Sequence, residues 1–143
     1  MFRISFRALL SFALAMALSG LAWAHTELPL AKLTPPHGGL LAASGAYHVE
    51  LVLKPDRVQV FVTDHLDKPI NIQGVTGTAN LRVKGKKAQR VPLRVVDDRL
   101  EGPAVIPADA PVTVMIRLNI GGAEQMVPYA WPAGGPRPKP AGR

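Results

Sequence analysis

The chain has 143 residues, 48% of them hydrophobic and 19% charged, which is enough for one compact domain and too little for two sizeable cores. It contains no cysteine, so disulfides, thiol catalysis, blue-copper sites and cysteine zinc sites are excluded. The formal net charge is +7, but no aromatic residue interleaves the basic clusters, which argues against a nucleic-acid reader.

Residues 1–24 have the layout of a secretory signal peptide. Arg3 and Arg7 form a basic start, Ala8 to Leu18 an apolar run, and Ala22-Trp23-Ala24 a small-x-small cleavage site. The run is short for a transmembrane span. The expectation is therefore export to the periplasm with a mature chain starting at His25, net +5 once Arg3 and Arg7 are gone, and no stable membrane span after processing.

Residues 25–36 contain three prolines and no period, which predicts an extended lead-in. Beyond His37-Gly38-Gly39, short apolar alternations recur between turn residues. That pattern predicts an all-β, Ig-like antiparallel β-sandwich over 37–131 with about seven or eight short strands. Strands are expected over 47–53, 58–62, 78–84, 88–96, 99–105, 112–120 and 123–131, the last two joined through Gly121-Gly122. From Pro132 to Arg143 the chain is Pro/Gly-rich and basic, and a disordered tail is expected.

The first hairpin has a geometric consequence. For Val49, Leu51 and Leu53 to face Val58, Val60 and Val62, an even-sized loop around Pro55-Asp56 must place residue 53 opposite 58 and 48 opposite 63. If pairing extends to 46 opposite 65, His48 and His65 become diagonal neighbours about 7–8 Å apart on the outward face, with Glu50 and Phe61 beside them.

Four residues are candidate metal ligands: His25, His37, His48 and His65, all in the first 65 positions. A histidine at a free amino terminus offers its α-amine, of pKa about 8, together with its imidazole to a single ion. Nitrogen-rich sites of this kind favour Cu(II), with zinc as the competing metal. Asp64 and Glu50 are candidate oxygen ligands, and a thioether such as Met115 or Met126 suits Cu(I), although gap-filling explains both methionines as well. Lys84-Gly85-Lys86-Lys87 reads as a basic hairpin turn, with contact to an acidic partner or lipid head groups as the functional alternative. Enzyme chemistry finds little support. Ser44 is the single serine after residue 24 and lacks a nucleophile elbow, and neither Gly38-Gly39 nor Gly121-Gly122 has the lysine and helix start of a phosphate loop.

The segments His37-Gly-Gly, Tyr47–Val52, Val60–His65, Lys68-Pro69 and Gly74–Gly77 resemble small exported β-sandwich domains that occur alone or attached to periplasmic adaptor subunits of heavy-metal efflux systems. The likeness spans about residues 35–105. It implies handling of copper or another heavy metal, carried here by His25, His37, His48 and His65. A mature histidine terminus on a β-sandwich is also similar to periplasmic copper-resistance proteins of the C type, but this chain lacks a later histidine ligand and their complete copper site does not carry over. The resulting expectation is a periplasmic copper carrier or buffer that is not an enzyme. The rival is a non-metal structural module docking on an envelope or efflux adaptor assembly.

Overall fold

A computed structural model of the protein describes residues 33–136. The signal-peptide segment, His25, most of the lead-in and the tail from residue 137 lie outside the described residues.

The fold is all-β and antiparallel. Its strands are β1 (Leu40–Ser44), β2 (Tyr47–Lys54), β3 (Arg57–Asp64), β4 (Thr76–Val83), β5 (Gln89–Val96), β6 (Arg99–Pro103), β7 (Val112–Ile120) and β8 (Ala123–Trp131). The strand order is β1-β2-β3-β6-β5-β4-β7-β8, one nearly closed sheet folded into two layers. β5 makes the corner: residues 89–93 pair with β4, and residues 94–96 leave it to pair with β6. Among the described residues no helix is long and apolar enough to cross a membrane.

Seven of the eight strands stand where the alternation places them. β1 is the addition; its Leu-Leu-Ala-Ala-Ser sequence has neither β-branched residues nor a period-2 pattern. The first hairpin has the expected register, with Leu53 opposite Val58, Val49 opposite Val62 and His48 opposite Thr63 across the two-residue loop Pro55-Asp56. Pairing ends at Tyr47 opposite Asp64, one residue short of His65.

The core lies between the layers. Val49, Leu51, Val58 and Val60 are wholly inaccessible, as are Ala79, Leu100, Val114 and Ile116 from the other strands. Burying each Val, Leu or Ile side chain contributes about 1.5–3 kcal/mol relative to exposure, which lets a domain without disulfides hold together. β8 is tied to the first two strands by side chains: the Tyr129 hydroxyl donates to the Val49 carbonyl of β2 at 2.7 Å, and the Ser44 hydroxyl of β1 donates to Gln125 Oε1 at 2.8 Å. Residues 132–136 continue into a turn whose Gly134 N–H donates to the Ala108 carbonyl at 2.7 Å.

Candidate functional site

β2 presents His48 and Glu50 on its outward side, two residues apart. Phe61 of β3 lies opposite Glu50, Thr63 opposite His48, and Leu41 of β1 flanks Glu50 on the other side. On an ordinary half-exposed layer these side chains would meet water. Here the segment ahead of β1 folds back across them, and His37 stacks on Phe61 with ring centroids 3.6 Å apart and planes 8° from parallel.

The cover is fastened by Glu50. Its Oε1 accepts the backbone N–H groups of His37 at 2.9 Å and Gly39 at 3.0 Å, and its Oε2 meets His37 Nδ1 at 2.8 Å. Glu50 is 2% exposed, a buried carboxylate with donors on both oxygens. The glycines after His37 have separate reasons. Gly38 sits at φ +74°, and a Cβ on Gly39 would overlap the Leu51 carbonyl, so only hydrogen fits where the segment meets β2.

This arrangement corrects one sequence expectation. Glu50 is not an outward ligand in waiting; its oxygens are taken by the cover. Asp64 is engaged through one oxygen, its Oδ1 accepting the N–H groups of Leu66 at 2.8 Å and Lys68 at 3.0 Å. Those bonds, that from Lys68 foremost, hold its carboxyl below the usual carboxylate range. The turn they define brings Asp67, at φ 61°, to His48, whose Nδ1 lies 2.7 Å from Asp67 Oδ1.

His37 and His48 line one recess of about 40 Å³, together with Pro36, Leu41, Glu50, Phe61, Thr63 and Asp67. The companion of His48 there is His37, not His65, which lies in the exposed turn beyond the last β2–β3 pair. Both recess histidines turn Nδ1 toward a carboxylate oxygen. An ionised carboxylate only accepts, so a neutral ring facing one carries its proton on Nδ1 and keeps the lone pair on Nε2. Carboxylate-held histidines of this kind are how metal-ligating imidazoles are commonly oriented. Their side chains differ in access, 42% exposed for His37 and 12% for His48. Among the described residues no three histidine, cysteine, aspartate or glutamate side chains are grouped to hold a metal ion.

The roles of Phe61 and Asp67 were not legible beforehand. One signal was available: Val52 and Phe61 are apolar at outward positions of β2 and β3, which marks a covered face.

No protein-family model and no curated protein sequence matches the chain. In structure it is similar to a chain titled "Crystal structure of Br derivative BhCBM56", at a TM-score of 0.43 and 8% identity, covering 66% of this chain and 99% of that one. A likeness that low carries no argument about what this chain binds.

Proposed function

We propose that the protein is an exported metal-binding protein of the periplasm, a copper carrier or buffer, with His37 and His48 as imidazole ligands through Nε2. The observation that carries this reading is the pair of carboxylate-held histidines, His37 on Glu50 and His48 on Asp67, opening on one recess. Two imidazoles are half of a copper site. The remaining donors fall to His25, whose α-amine and imidazole stand twelve residues before His37, on a chain segment that can span up to about 40 Å. His65 is left out of the site. Copper is the cargo and zinc its competitor, as nitrogen donors order the two.

A second reading is favoured by one observation: the stack of His37 on Phe61 and its two bonds to Glu50 suffice as a structural fastening with no metal. In that case the protein is a structural module of an envelope assembly.

Cu(II) titration of the processed chain separates the two readings. The copper reading expects one tight equivalent, nitrogen hyperfine coupling in its electron paramagnetic resonance spectrum, weaker binding in His48→Ala, and weaker binding when one glycine is added before His25. Equal, weak affinity in all three forms would leave the structural module.

A further inference from the structure

The second layer, β5-β4-β7-β8, turns a different kind of face outward. Arg90 of β5 lies opposite Asn80 of β4, Arg82 is two residues further along β4, and Arg117 of β7 lies opposite Thr78. Arg94 follows at the corner where β5 leaves β4 for β6. All four arginines are exposed, and the turn after β4 adds the exposed Lys84, Lys86 and Lys87. Of the acids beside these arginines, Glu124 stands 3.8 Å from Arg117 and Glu101 lies opposite Arg94 across the β5–β6 pair. Among the described residues, Arg82, Arg90 and Arg94 form no ion pair with a carboxylate.

We infer that this face is a docking surface for an anionic phospholipid bilayer. Strand spacing places the Cα atoms of Arg82 and Arg90 about 8 Å apart and those of Arg90 and Arg117 about 12 Å apart. The first two guanidinium groups can share a phosphate, while Arg117 sits at a separate station. A fixed array of cations at uneven spacing suits head groups that diffuse laterally to meet each one. Between the arginines stand small or flexible side chains, Thr78, Asn80 and Met115, and no aromatic ring. The stacking platform that single-stranded nucleic acids or sugar rings would use is therefore missing from the face. The histidine recess is on the other layer, so a chain docked through its arginines keeps that recess open to solvent.

The test is co-sedimentation of the processed chain with vesicles made of equal parts phosphatidylglycerol and phosphatidylcholine, against vesicles of phosphatidylcholine alone. Binding is expected only to the anionic vesicles, with release by salt. Each cation near such a surface changes partition by roughly five-fold, so Arg82→Gln with Arg90→Gln is expected to lower it about 25-fold. Both arginines are surface residues with no carboxylate partner among the described residues, and circular dichroism checks that the double variant stays folded. Lys54→Gln with Lys68→Gln removes the same charge from the other layer and is expected to leave partition nearly unchanged. Three results would each overturn the inference: no preference for anionic vesicles, equal loss in the two double variants, or tighter binding to polyglutamate than to the vesicles, which would mark the partner as an acidic polypeptide.

Discussion

His37 and Glu50 are thirteen residues apart and joined twice, once through the His37 backbone N–H and once through its Nδ1. This contact turns an outward strand position into a buried one. It also makes Glu50 the residue on which both the cover and the orientation of His37 depend.

Removing the carboxylate should therefore cost stability. Glu50→Ala leaves the N–H groups of His37 and Gly39 without their acceptor, at about 2 kcal/mol or more. Glu50→Gln keeps one accepting oxygen and should lose about half as much. Urea unfolding midpoints at constant slope measure both; a shift in neither variant would show that the cover adds nothing to the fold.

The two glycines should differ in sensitivity. Gly38→Ala meets only the left-handed backbone, about 1 kcal/mol, since there is open space around it. Gly39→Ala forces the segment off the Leu51 carbonyl and should cost more, about 3 kcal/mol. Thermal melts of the two variants rank them; the reverse order would contradict the close approach at Gly39.

For the metal reading, Asp67 is the informative residue because it touches no metal itself. Asp67→Asn loses the carboxylate that holds the His48 ring and should weaken Cu(II) binding by about 10–100-fold. His65→Ala should leave binding unchanged. Competition titration with a chelator reads both, and the opposite ranking would return His65 to the site.

Acid should weaken the β3–β6 junction. Glu101 accepts from Gln59 Nε2 at 3.1 Å and Arg99 Nε at 2.8 Å, and these bonds hold its carboxyl below the usual range. A group whose pKa is lower in the folded than in the unfolded chain stabilises above the unfolded value, about 4.3, and loses that contribution as pH falls through the folded one. Glu101→Gln should thus unfold with a flatter pH dependence below about pH 5. Parallel slopes for variant and parent would exclude the junction as a source of acid sensitivity.

At the alkaline end the sign reverses. Burial, and then the charge of Glu50, push the Tyr129 phenol above its ordinary value. Its stabilising contribution is full below the unfolded pKa of about 10 and declines as pH rises from there toward the folded value. Tyr129→Phe should be less stable than the parent near neutral pH, by about 1 kcal/mol for the lost bond to Val49, with the gap narrowing above pH 10. A gap independent of pH would mean that the phenol is not protected.

Much of this architecture is local in origin and could be read from residue order. Alternation in 47–53 and 58–62 requires an even-sized loop if both apolar sets are to stay inside, because a slip of one residue would turn a whole strand's side chains over. The observed pairing of Leu53 with Val58 meets that constraint. Gly45, Gly85 and the pair Gly121-Gly122 marked three further turns, since backbone conformation at a turn depends on the residues in it.

The site was decided by contacts across the fold. The Pro-Pro-His-Gly-Gly segment has no period, and nothing in its order says that it lies over β2 and β3 rather than in solvent. Tertiary packing put His37 on Phe61, drew Gly39 against Leu51 and buried Glu50 beneath both. Likewise, the left-handed turn at Asp67 gave His48 a carboxylate partner where strand pairing alone would have offered His65. Periodicity assigns a side chain to one face of a strand, but whether that face meets water or protein depends on segments distant in sequence, and here that difference separates a free surface carboxylate from one bound on both oxygens.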